Sequence, residues 1–145
     1  MDPPRSLQQR KQDTLGRLQA DDDAWIATAD AVGGAYLVPL SFLWDGTGVV
    51  VSTPASSPTA RNLLRGARVR VGIGELRDVT LIEGTAEPVD DDATKDAFAT
   101  KHGWDPRGET GAYAFFRIIP EQIQAWREVN ELTGRTVMRG GIWLN

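Results

Sequence analysis

Apolar residues along this chain recur in short β-branched and aromatic runs that suit strands better than helices. Six runs stand out, at Trp25–Ala29, Ala35–Trp44, Gly48–Ser52, Val69–Ile73, Val79–Val89 and Ala112–Ile119, and Gln122–Val129 adds a seventh. Gly33-Gly34 and Asp45-Gly46 are hairpin signals, so the first three runs are expected to pair in succession. Pro120 separates the last two runs and predicts two strands there. Pro39 lies inside the second run. A proline cannot donate to a ladder, so this strand belongs at an edge, at a bulge, or where backbone stays open to a ligand. Gly72 and Gly74 predict a bulge or a close backbone approach, and Glu83-Gly84 a bend in one long strand.

Helical signals flank these runs. Pro3 to Ala20 places Leu7, Leu15 and Leu18 among Arg, Gln and Lys, which predicts a surface helix with a narrow apolar stripe, covering a barrel. Pro58 as a first helical residue, Ser56 or Ser57 as its cap and Gly66 as its stop predict a short second helix. Asp90 to Asp92 opens a third that runs to about His102, with Ala93, Ala97 and Phe98 inward and Gly103 as C-cap. Trp104 to Gly111 reads as a loop able to act as a lid. The tail, Thr136 to Asn145, is too short to fold alone and must dock on its own barrel or on a second subunit. With 145 residues, 41% of them hydrophobic, a single domain is expected: a helix over 1–20, a barrel over 21–129 and a tail over 130–145.

Composition narrows the chemistry. There is no cysteine and a single histidine, which removes thiol catalysis, Cys-ligated metal and any site needing two imidazoles; no metal site is expected. His102 stands at a helix C-terminus, where an imidazole is favoured electrostatically without catalytic duty. Neither a signal peptide nor a long apolar segment is present, so a cytoplasmic location is the expectation, with no membrane partner. A net charge of −4 offers no general attraction to nucleic acid. Arg61, Arg65, Arg68 and Arg70 nevertheless cluster, either to neutralise an anionic ligand or as a solvated face. Asp21 to Asp23 lack the spacing of a calcium loop and read as a solvated turn.

The stretch Val49 to Gly66 carries the strongest chemical signal. A helix N-terminus exposes free N–H groups and partial positive charge, and here Ser52, Thr53, Ser56, Ser57 and Thr59 add hydroxyls while Arg61 adds a cation. The arrangement suits a phosphate; it is equally that of an ordinary capped helix.

The ordered set Trp25-Ile-Ala-Thr, Leu37-Val-Pro-Leu-Ser-Phe-Leu-Trp-Asp-Gly46, Ser52-Thr-Pro, Thr59-Ala-Arg-Asn-Leu63 and Ile82-Glu-Gly-Thr-Ala86 resembles the pyridoxamine 5′-phosphate oxidase-like split-barrel superfamily. Its flavin- or deazaflavin (F420)-dependent oxidoreductases are the nearest branch. The resemblance implies a mainly β fold with flanking helices, a six-stranded split β-barrel, and a homodimer holding FMN or F420 along the subunit interface. It implies that the backbone of Val38, Pro39, Leu40 and Ser41 faces the tricyclic ring. Ser52, Thr53, Ser57, Thr59, Arg61 and Asn62 would surround the phosphate. Relatives often carry Lys or Arg where this chain has Thr59 and Ser57. A missing charge-assisted hydrogen bond is worth about 1.5–3 kcal/mol, leaving phosphate binding to Arg61, the hydroxyls and the helix terminus. Trp126, Arg127 and Trp143 resemble positions that reach the site across the dimer.

The activity so implied is hydride transfer between the cofactor and a small, planar, unsaturated organic substrate. Pyridoxamine-phosphate oxidation itself is less attractive, because the Arg/Lys-rich motifs of that enzyme are not evident. Two other classes stay open: a carrier or sensor holding FMN, F420 or haem without turnover, and a small barrel that binds nucleic acid through the clustered arginines.

Overall fold

The computed structural model describes residues 1–145. Strands β1 (Asp23–Ala29), β2 (Ala35–Trp44), β3 (Val49–Pro54), β4 (Arg68–Glu75), β5 (Asp78–Pro88) and β6 (Tyr113–Trp126) form the body, with β7 (Thr136–Arg139) and β8 (Ile142–Trp143) at the end. Helices α1 (Leu7–Ala20), α2 (Pro58–Leu64) and α3 (Asp92–His102) flank them. The antiparallel pairings run β1-β2-β3-β6-β5-β4 and back to β1, so six strands close into a barrel.

Period-two alternation builds its interior. Ala24, Ile26 and Thr28 of β1 and Val69, Val71 and Ile73 of β4 point inward and are buried. The apolar ones join Phe42, Val49, Val51, Ile82, Phe116, Ile118 and Ile123 in one core, to which α1 adds Leu18 and α2 adds Ala60 and Leu63. From Val49 to Thr53, β3 is buried at every position, because α3 covers its outer face. There Val50 meets Val89, Phe98 and Phe115. Both faces of β3 being covered explains its unbroken apolar run.

Several expectations need correction. Residues 112–129 do not form two strands: β6 runs unbroken from Tyr113 to Trp126 with Pro120 inside it. Glu83 pairs with Gln122 and Gly84 with Pro120, leaving Glu121 unpaired in a bulge. The bulge shifts the inward phase from Phe116 and Ile118 to Ile123 and Ala125, and a bulge is where a proline is tolerated within a sheet. β4 passes through Gly72 without a bulge, whereas Gly74, at φ 94°, is a close approach beneath Arg17 and the Asp78 carbonyl. On α3 only Phe98 is buried; Ala93 and Ala97 are exposed. α1 starts at Leu7, where the Ser6 hydroxyl caps it by accepting from Gln9 N–H. The tail docks on its own barrel: β7 pairs with β6, and β8 with β7.

The barrel is split along β2. Trp44 to Phe42 pair with β3, but residues 35–41 pair only with β1. Phe42 N–H donates to Asp22 and Asp45 N–H to Gly48, so even-numbered residues of β2 turn their backbone to β1 and odd-numbered ones turn away. Pro39 therefore stands on the open side, where its missing N–H costs the ladder nothing.

α1 is seated by charge. Arg5 grips Glu131 through its backbone N–H at 2.8 Å, Nε at 3.0 Å and a terminal nitrogen at 2.8 Å. Arg127 N–H adds a fourth bond at 2.8 Å. These donors, the Arg5 side chain first among them, hold the Glu131 carboxyl down at about 2 against the opposing effect of burial. No helix is long and apolar enough to cross a membrane.

Candidate functional site

α2 begins where β3 ends. Ser57 is its cap, accepting from Ala60 N–H at 3.1 Å, and Pro58 opens it without a wasted amide. The hydroxyls around this turn are engaged within the chain. Ser52 Oγ donates to the Ala114 carbonyl at 3.1 Å, and Thr53 and Ser57 share a hydrogen bond of 3.1 Å. Thr59 is 1% exposed, so its hydroxyl is turned inward. Asn62, also buried, donates to Thr28 Oγ1 at 3.0 Å and accepts from Arg65 at 2.6 Å. Its role in this single chain is to tie α2 to β1.

Arg61 is different. It is exposed, donates to the Ser56 carbonyl at 2.6 Å and forms no carboxylate pair. The four clustered arginines thus divide. Arg68 and Arg70 are neutralised by Glu83 and Glu121 on the outer face, whereas Arg61 and Arg65 have no acidic partner within salt-bridge range. Arg65 spends its donors on Asn62 and on the Ala29 carbonyl at 2.8 Å. Both line a pocket of about 220 Å³ with Pro58, Asn62, Asp30, Gly34, Ala35 and Tyr36. The Asp30 carboxylate there accepts from Gly34 N–H at 2.7 Å and Val32 N–H at 3.0 Å, bonds that hold it below its ordinary range. Tyr36 and Asp30 were not among the expected site residues. Tyr36 lies two positions before Val38 on the same strand, so the period-two pattern was the available signal.

The unpaired half of β2 runs on from this pocket. Val38 and Leu40 pack their side chains on the core, which leaves backbone, Pro39 and Ser41 toward the open side. Ser41 Oγ donates to Asp23 at 3.0 Å. The structure therefore brings Ala35 and Tyr36, at the start of β2, beside α2 and its Arg61, and Val38 to Ser41 follow farther along the strand. It does not bring Trp126, Arg127 or Trp143 there. Trp126 stands twelve residues beyond Ala114 on β6, on the order of 40 Å of strand at roughly 3.3 Å per residue. The Arg135 guanidinium lies 5.6 Å from its ring. Arg127 pairs with Asp78 at 3.3 Å and Asp13 at 3.8 Å, and Trp143 packs on the chain's own core.

The loop after α3 adjoins the same turn, since Ala112 accepts from Ala55 N–H at 2.9 Å. It is tethered by Trp104 to Glu109 at 2.7 Å and by Arg107 to Asp96 at 2.7 Å. His102 Nε2 is 2.8 Å from the Phe42 carbonyl; a carbonyl only accepts, so Nε2 carries its proton.

A second hollow, of about 590 Å³ and largely apolar, lies on the outer sheet face between Trp25, Leu37, Gly72, Leu76, Val79 and Leu81. Trp25 is 53% and Leu37 59% exposed.

The family model described as pyridoxamine 5′-phosphate oxidase matches residues 15–127. None of the curated proteins matches the sequence. Among solved structures, HutZ, the haem storage protein of Vibrio cholerae, is similar at TM-score 0.71 and 18% identity, over 83% of this chain and 98% of its own. A FAD-binding protein of Mesorhizobium loti is similar at TM-score 0.62 and 21% identity, over 78% and 89%. An F420 reductase gives 0.63 and 15%, over 74% and 93%. With a family match spanning most of its length and a closed six-stranded barrel beside it, the chain belongs to the pyridoxamine 5′-phosphate oxidase family.

Proposed function

We propose that the protein binds FMN or F420 and transfers hydride between that cofactor and a small unsaturated organic molecule in the cytoplasm. The observation that carries the reading is one pocket at the head of the unpaired half of β2, lined by Arg61, an exposed guanidinium with no acidic partner. At about 220 Å³ it suits an anionic group and is too small for a tricyclic ring. The ring would extend along Pro39 and Ser41, where backbone has no strand to pair with. Arg61 and the α2 backbone would hold the anion, and the backbone of residues 38–41 would orient the ring. When bound, such a ring supplies two-electron hydride chemistry, and the protein's task is orientation and exclusion of water.

A second copy of the chain would complete the site. The exposed apolar face around Trp25 and Leu81 is continuous with Pro39, the register partner of Trp25. A copy placed there would close the open side of the ring site and shield it from solvent. It would also let Trp126 or Trp143 approach a ring, whereas Arg127 already lines a hollow with Asp23, the acceptor of Ser41.

A carrier without turnover would use the same pocket. Haem suits it less well, because the single imidazole has Nε2 committed to the Phe42 carbonyl. The test is titration of purified protein with FMN and with F420 separately, followed by calorimetry. Saturable binding of one is expected. Arg61→Ala should weaken it about tenfold or more, and Arg65→Ala less, since Arg65 already serves Asn62 and Ala29. Binding of neither cofactor, or equal loss in the two variants, would sink the assignment. Oxidation of the reduced, bound cofactor by a panel of unsaturated acceptors, each gaining the hydride and a proton, then separates enzyme from carrier.

A further inference from the structure

Helix α1 buries Arg10, Thr14 and Leu18, four residues apart, of which only the last is apolar, and adds a half-buried Leu7 against the core. Arg10 is 4% exposed and spends its guanidinium on backbone, donating to the carbonyls of Glu131 at 2.9 Å and Gly134 at 3.0 Å. The Thr14 hydroxyl is buried without a hydrogen-bond partner, which makes seating the helix costly. Gly16 lies mid-helix with open space where a side chain would stand, so it weakens α1 with no packing reason for its presence. Ion pairs fasten the helix at both ends, Arg5 with Glu131 at its head and Arg17 with Asp78 at 3.1 Å in its last turn. Its tail runs directly into Asp22, which accepts from Phe42 N–H at 2.9 Å, and Asp23, which accepts from Ser41.

We propose that α1 is a strap that opens as its own unit ahead of the barrel, latched at Arg5–Glu131 and Arg17–Asp78 and hinged at residues 20–22. Its opening slackens the Ser41 end of β2. A segment with a polar underside, one orphaned hydroxyl and a mid-helix glycine has a lower opening free energy than strands buried on both faces. The strap is independent of which cofactor, if any, the barrel holds.

Native-state hydrogen exchange on the full chain tests this. Amides of residues 10–20 are expected to exchange through an opening at least about tenfold more frequent than that of β3 and β6. Glu131→Gln should speed α1 exchange by about tenfold or more, and β3 exchange with it, because global opening breaks the same grip. Gly16→Ala should slow α1 exchange about fivefold, whereas Gly84→Ala, which strains the barrel and not the helix, should speed β3 exchange and leave α1 exchange unchanged. The second variant adds helix propensity on an exposed position and stays informative if the first fails to fold. The Phe42 amide should follow α1 in the first two variants. One common opening for α1 and β3, or a Gly84→Ala chain in which α1 exchange rises together with that of β3, would overturn the strap. A Phe42 amide that keeps barrel protection while α1 opens would overturn its coupling to β2.

Discussion

At Gly84 the backbone of β5 passes so close to β6 that a methyl group would overlap the Ile119 carbonyl. Gly84→Ala is therefore expected to destabilise the protein by about 2–3 kcal/mol, read as a fall in the thermal midpoint. Gly72 is the control, since a Cβ there meets Leu81 and Trp25 at 3.6 and 3.8 Å, ordinary contact distances; Gly72→Ala should change stability by less than about 1 kcal/mol. An equal effect at both glycines would mean that β-sheet propensity, and not the close approach, governs the site. Glu131 makes a pH-dependent contribution. Its folded value of about 2 lies below the ordinary 4.5, so the stabilisation is complete above pH 4.5 and is lost as pH falls through 2. For a side chain 3% exposed that is on the order of 3 kcal/mol. Urea unfolding at pH 5 and pH 2.5 should show a larger loss in the wild type than in Glu131→Gln, which keeps only the share of other depressed carboxyls such as Asp30 and Asp45; parallel losses would place the acid sensitivity elsewhere.

Among the elements, those whose side chains alternate over a single buried face were legible: β1, β4 and the capped start of α2 all follow from residue type and spacing. The sequence misled where one element serves two environments. In β6 the inward phase changes at Glu121, so a proline and a broken alternation mimic a strand boundary although the hydrogen-bonded path continues. α3 presents one buried phenylalanine to the strands beneath it, and alanines that resemble an apolar stripe lie in solvent. The hydroxyls of Ser52 and Thr53 point to a phosphate by composition. Nothing local in the sequence reveals that Ala114, on a strand sixty residues away, accepts from one of them. Arg61 was legible as a cation beside a helix start, and only three-dimensional pairing separates it from Arg68 and Arg70, whose acids come from β5 and the bulge.

For the whole molecule, a closed barrel with one apolar outer face poses a question of assembly. Trp25, Leu37 and Leu76 are exposed together on that face, and exposed apolar patches of this kind mark association sites. If two copies meet there, Trp25→Glu, which removes a side chain the fold does not bury, should weaken the dimer by at least about thirtyfold while leaving far-ultraviolet circular dichroism unchanged. Sedimentation of the wild type as a monomer at tens of micromolar, a concentration well above that needed for a stable homodimer, would refute the arrangement. The Glu121 irregularity also reaches further than its own strand. Its freed carbonyl receives Gly141 N–H at 2.9 Å, so the kink that accommodates Pro120 is a socket into which the chain's last residues plug. Straightening the longest strand into perfect regularity would tidy the barrel and unfasten its terminus.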